Sequence, residues 1–263
     1  MMWNFTESEF MVLWRDLVDD NLPMPFVSKS KAESYRDYLE EVRRAREGAR
    51  QKFDEAALVM INAIAAPDLS VVVSAWDEQE PLKGKGEIRI RAVRQGSNGY
   101  LVKQESGETF WHGGGYKIRA CDPLRLADEV VRELPEMAAG KQTDLVLPVQ
   151  DEATVDAKPG GITVRDPMAD SDAARAARFH KAATDRIGRI NVVQGQSIFG
   201  PRGITDRVLQ WRDVREDGRY VISDQNPQRA VPADAQRTVA LINSQIASVI
   251  RVIKEERESV HRV

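Results

Sequence analysis

"AVRQGSNGYLV" at residues 92–102 and "DVREDGRYVIS" at residues 213–223 spell one structural pattern twice. In each, a strand runs into a glycine-containing turn and out into a second strand led by a tyrosine, Tyr100 in the first and Tyr220 in the second. Val93-Arg94 corresponds to Val214-Arg215, with a one-residue difference at the turn. A helix opened by proline follows each, within "DPLRLADEVVREL" (122–134) and "VPADAQRTVALINSQI" (231–246). Two hairpins of the same order imply an internal duplication. The expected fold is therefore α+β: a central antiparallel sheet built from two quasi-two-fold-related halves, with helical bundles packed over one face and the ends. The halves are about 1–148 and 172–263 of one domain, joined by a mobile loop at 149–171 that is rich in small and acidic residues.

The flanking sequence supports that reading. "SVVVSAW" (70–76) is a predicted strand, and "EIRIRAV" (87–93) sets Ile88, Ile90 and Ala92 against Glu87, Arg89 and Arg91, the two-residue period of a half-buried antiparallel strand. Asn98-Gly99 predicts a type I′ turn. Thr6 and Glu9 form a capping-box pattern ahead of a helix with Phe10, Leu13, Trp14 and Leu17 on one face, and "LPMPF" ends it. Further helices are predicted over Lys31 to Arg46, from Phe53 to Ile64, from Asp122 as N-cap, from Asp172 to Arg186, and from Ala233 to Glu258.

Composition narrows the function. With 263 residues, 42% of them hydrophobic, the chain can bury a substantial core. Its 38 basic and 41 acidic residues leave a net charge of -3, which disfavours nucleic acid and anionic membranes as partners. No apolar run is long enough to insert in a membrane, and "MMWNFTESEF" lacks the pattern of a signal peptide, so the expected location is cytoplasmic. A single cysteine excludes an internal disulfide, and three scattered histidines suggest no metal site.

One motif invites a catalytic reading. "FWHGGGYK" (110–117) has the His-Gly-Gly-Gly run from which many esterases build an oxyanion hole. The matching nucleophile elbow is broken, because in "GQSIFG" Phe199 stands where the second glycine belongs, and His261 alone follows Ser197 among the histidines. Gly113, Gly114 and Gly115 then read as a tight turn or bulge. Cys121 with His112 offers a nucleophile and base without an orienting third group. A small hydrolase using Ser197 or Cys121 is the alternative of a different class. No cofactor is expected.

The strand alternation leaves one sheet face carrying Arg89, Arg91, Val208, Gln210, Arg212 and Val221, a mixture of guanidinium and aliphatic groups suited to a protein interface. Here a resemblance adds direction. "WNFTESEFMVLWRDLVDDNLPMPF" (3–26), the strand ending in Trp76, the polar loop "DEQEPLKGKG" (77–86), the meander with "GYLV", the helix at 122–134 and "DVREDGRYVIS" together resemble the EspG family of actinobacterial ESX (type VII) secretion chaperones. The resemblance implies a cytosolic, cofactor-free chaperone that binds the helical tip of the PPE subunit of a PE/PPE heterodimer, keeps it soluble and directs it to its secretion system. It also implies contacts through the central sheet, the C-terminal helical bundle and the loop at 77–86, which carries Leu82 and Lys83. Weak homodimerisation stays open.

Overall fold

The computed structural model describes residues 1–84, 86–147 and 167–260. Its centre is two antiparallel meanders lying edge to edge. The first is β2 (Leu69–Asp77), β3 (Ile88–Gln95), β4 (Asn98–Ser106) and β5 (Gly113–Cys121), and the second is β7 (Thr184–Gln194), β8 (Asp206–Val214), β9 (Gly218–Ser223) and β10 (Gln228–Pro232). They join through β2 and β7, which pair antiparallel from Leu69↔Gln194 to Asp77↔Arg186. Short strands β1 (Met2–Phe5) and β6 (Leu145–Leu147) close the edges, giving a ten-stranded sheet of order β1-β5-β4-β3-β2-β7-β8-β9-β10-β6. The predicted α+β class with a central antiparallel sheet is what the chain adopts.

Helices cover this sheet unevenly. α4 (Leu126–Arg132) and α6 (Ala235–Val260) pack over the middle of one face, where Val71, Val73, Ile90, Ile190, Val192, Leu209 and Trp211 meet Leu126, Val130, Ile242 and Val249. On the opposite face, α1 (Glu7–Leu17) and α3 (Glu55–Ala65) cover the first meander's outer strands through Phe10, Trp14, Met60 and Ile64 against Tyr100, Val102, Tyr116 and Ile118. α2 (Tyr35–Lys52) packs on α1 through Val42 and Ala45 against Val12. At the other end of that face α5 (Pro167–Lys181) sets Phe179 on Tyr220, Ile222 and Ala230. Each large apolar side chain so buried contributes roughly 1.5–3 kcal/mol, so the three sheet-facing clusters fix which strand positions stay uncovered.

Local chemistry explains several boundaries. Thr6 accepts from the Glu9 backbone while Glu9 accepts from the Thr6 backbone, the predicted capping box. Ser34 caps α2 and Asp54 caps α3, so α2 begins a turn later than the predicted Lys31 and runs on to Lys52. The β3–β4 turn is a correction: Gln95 pairs with Asn98, so the two loop residues are Gly96 and Ser97 and not Asn98-Gly99. Gly96 takes φ 58°, the positive value that a two-residue hairpin needs at its first position. Asp122 does not cap α4 either. Its carboxylate accepts from the Leu124 backbone in a turn that delays the helix to Leu126. α5 begins at Pro167 and ends at Lys181, so residues 167–171, assigned to the loop, are helical, and 184–186 are strand. The other residues expected in that loop, 149–166, lie outside the described residues.

Glu9 also shows how these caps respond to acid. Burial pushes its carboxyl up, but hydrogen bonds from Lys52 at 2.5 Å and from Thr6 outweigh this and hold it below the ordinary glutamate value. Asp217 and Glu256 are held low in the same way. A carboxyl lowered in the folded state stabilises fully above its unfolded pKa and loses that contribution as pH falls through its folded value. Thermal unfolding followed from neutral pH into the acid range should therefore show a falling Tm below about pH 4.5, and Glu9→Gln should flatten that fall.

Candidate protein-interaction face

Between the α1–α3 cap and α5, strands β3, β2, β7 and β8 present an uncovered strip on the face opposite α4 and α6. Register builds it in cross-strand rows. Arg91, Val72, Asn191 and Val208 form one row, and Arg89, Ser74, Arg189 and Gln210 the next. Trp76, Ile187 and Arg212 make a shorter third row. Four strands span three interstrand spacings, roughly 14 Å, enough for one helix with its side chains. Arg189 and Gln210 are exposed, whereas Ser74, Trp76, Arg91, Ile187, Asn191, Val208 and Arg212 are half-buried. A floor of hydrogen-bonded strands with aliphatic, aromatic and guanidinium groups is a preformed platform that loses little freedom when it is covered.

Of the six strand positions expected here, five lie on this face and one does not. Val221 pairs with Trp211 and is 2% exposed beneath α6, on the other side of the sheet. The cause is the β8–β9 loop. With Glu216 at φ 60° and Gly218 at φ 148°, it aligns Val214 with Gly218 and turns Tyr220 and Ile222, not Val221, toward the strip's side, where α5 covers them.

Arg89 shares the face but is not free to meet a partner, being 5% exposed. It ion-pairs with Glu87 at 2.6 Å, donates to the Phe110 carbonyl and lies 5.2 Å over the Phe110 ring. It thus staples the β4–β5 loop onto β3. Arg212 is also partly committed. Its guanidinium donates to the carbonyls of Phe179 (3.0 Å) and Ala182 (3.3 Å) and to the Thr184 hydroxyl, closing the C-terminus of α5, and lies 5.1 Å over the Phe179 ring. Val208 and Gln210 remain as groups turned outward, beside a half-buried Arg91 that donates to the Met24 carbonyl at 3.0 Å.

The β2–β3 loop rims the strip. The Leu82 carbonyl accepts from Phe110 at 3.1 Å, Lys83 bridges to Thr109 and ion-pairs with Glu80, and the Leu82 side chain stays 69% exposed beside Trp111 at 59%. Trp76, Ile187 and Arg189 belong to the strip and were missed. The alternation of "TDRIGRINVVQ" (184–194), with Ile190 and Val192 buried and Arg189 and Asn191 between and beside them turned the other way, carries the signal for the last of these.

Among the described residues the alternative catalytic side chains are not assembled. Ser197 donates to Glu256 at 2.9 Å, and the same carboxylate accepts from Gln194 (3.0 Å) and the Ile198 backbone (3.1 Å), so its partner is a carboxylate and not an imidazole. His112 meets Thr109 in the distant β4–β5 loop, and His261 lies outside the described residues. Burial pushes the Cys121 thiol up to about 11, away from thiolate chemistry. Gly113, Gly114 and Gly115 lie in β5 beside a bulge between Gln104 and Ser106, as the bulge reading expected. They owe nothing to positive φ, however: a methyl on Gly113 would strike the Gln104 side chain and the Val27 carbonyl. Among the described residues no cluster of His, Cys, Asp and Glu could hold a metal ion, and no helix is long and apolar enough to cross a membrane.

An antiparallel sheet capped at both ends and bare in the middle defines an α+β scaffold whose distinctive feature is a surface. A family model described as the EspG family matches residues 6–244, and the chain belongs to that family. Among solved structures it is similar to the Mycobacterium tuberculosis type VII secretion system chaperone EspG5 in complex with a PE25–PPE41 dimer. The likeness has a TM-score of 0.57 at 15% identity, over 91% of this chain and 94% of that one. No curated protein matches the chain.

Proposed function

We propose that this protein is a chaperone of PE/PPE heterodimers in type VII secretion. It covers the helical tip of the PPE subunit on the central strip, keeps the pair soluble on the cytoplasmic side and directs it to its secretion system without bond-making chemistry. The carrying observation is the strip itself, a rigid, half-apolar platform on an EspG-family scaffold whose other sheet surfaces are largely covered by helices. An apolar helical tip would self-associate if left exposed, and a preformed sheet covers it at low ordering cost. Val208, Gln210 and Arg91 supply the floor, and Leu82 and Lys83 a rim. Arg212 acts mainly by holding α5 at the edge.

Co-expression with the PE/PPE pair encoded beside the gene should yield a stable complex. Val208→Asp puts a charge into the buried contact and should weaken binding at least about tenfold in calorimetry. Its Tm should move little, because Val208 is half-buried at the surface. Normal binding by Val208→Asp and Gln210→Glu would place the site elsewhere. Stoichiometric labelling of Ser197 or Cys121 by a serine- or thiol-directed probe would favour the hydrolase.

A further inference from the structure

The strip carries a charge imbalance that says something about its ligand. Arg91 donates one hydrogen bond, from Nη1 to the Met24 carbonyl at 3.0 Å, while its Nε is buried without a partner. No carboxylate among the described residues pairs with it. The nearest acid along its strand, Glu87, is occupied by Arg89 and is itself buried, with a side chain 2% exposed. Desolvation with nothing to offset it pushes the Arg91 guanidinium down to about 10. Arg189, exposed on β7, has no ion pair among the described residues either.

Register brings the two together. Arg91 pairs with Val72 and Arg189 with Ser74, two residues apart on β2, so the guanidiniums bracket β2 diagonally from either side. Across the central strip the acid is Asp206, at the far end of β8, where Asn191 already holds it at 2.8 and 3.0 Å. Arg212 is neutralised in part by Glu78 at 4.0 Å and by the carbonyls ending α5. Two uncompensated cations thus flank the buried Val72, 7% exposed, and the half-buried Ser74. A half-buried guanidinium is costly without a counter-charge, and a partner that supplies one recovers the cost on binding.

We infer that the bound tip is acidic as well as apolar: it presents a carboxylate into the space over Val72 and Ser74, where Arg91 and Arg189 receive it. This rests on the reading of the strip as the PE/PPE site. The geometry favours a carboxylate over a neutral tip because the exposed Arg189 fork has N–H groups to give it bidentately and Arg91 adds a positive charge without a counter-charge beside it.

Calorimetry with the PE/PPE pair encoded beside the gene, at about 0.05 and 0.5 M NaCl, tests this. Arg91→Gln should weaken binding about tenfold and the exposed Arg189→Gln about threefold. The double variant should lose most of the salt dependence of the wild-type complex. Arg91→Lys should retain the salt dependence while losing part of the affinity. Arg189→Gln removes no hydrogen bond or ion pair among the described residues, so it reports even if Arg91→Gln disturbs the fold. Unchanged affinity and salt dependence in the double variant, with Val208→Asp still impaired, would overturn the acidic tip and leave the site standing. Failure of the wild-type protein to bind would overturn the site as well.

Discussion

Asp213→Ala should cost about 3–5 kcal/mol, the loss expected when one member of a buried ion pair is removed and the other is stranded. Asp213 and Arg219 face each other across β8 and β9 at 1% and 2% side-chain exposure, with paired contacts of 2.7 and 3.0 Å. Arg219 also donates to the Pro135 carbonyl at 3.2 Å and lies 5.7 Å from the Trp211 ring centre, and Arg186 approaches Asp213 at 4.0 Å. Without Asp213 two guanidiniums share a space that lacks a carboxylate. For a chain of this length the loss corresponds to a Tm lower by roughly 10 °C. Asp213→Leu with Arg219→Leu should be much less damaging than the sum of the single changes, since the desolvation cost disappears with the pair. The exposed Arg36–Glu40 pair, at 89% and 45% side-chain exposure, is the control and should be nearly neutral when broken. Denaturant melts of these variants decide this, and a mild single substitution would show that water reaches the pair.

Trp211→Ala should be as severe, at about 3–5 kcal/mol, for a different reason. The indole is 1% exposed and lies across Gly188, its partner on β7, where a methyl group would collide with the ring. Removing the ring empties the space between the sheet and the helices over it. Gly188→Ala alone should cost about 1–3 kcal/mol by overpacking. In the Trp211→Leu background the same substitution should become neutral or favourable, because the obstacle has gone. That reversal in a double-mutant cycle identifies ring-on-glycine packing, and additive effects would refute it.

These two sites also mark where sequence reading stops. The alternation of "EIRIRAV" and the repeated hairpins disclosed the antiparallel sheet, and the Thr6–Glu9 pair disclosed the first helix, since each signal is local. Register is not local. Val221 looked outward because the three residues between Val214 and Gly218 hide their backbone angles, and a one-residue shift turns every later side chain over. Arg89 and Arg212 looked like surface cations for a similar reason. Their partners, Phe110 and Phe179, come from loops and helices 21 and 33 residues distant. The strip's groups were legible where alternation sufficed, at Arg91, Val208 and Gln210. Trp76 and Ile187 needed the β2–β7 junction, which no short window contains.

The most direct test of the central claim is site-specific blocking of the strip. In a Cys121→Ser background, a cysteine at Gln210 or, as control, at Leu124, which is 79% exposed ahead of α4, is capped with a bulky maleimide before the PE/PPE pair is added. The account predicts that the cap at position 210 abolishes the complex and the cap at 124 leaves it intact. A complex that forms equally well over the capped strip would contradict it.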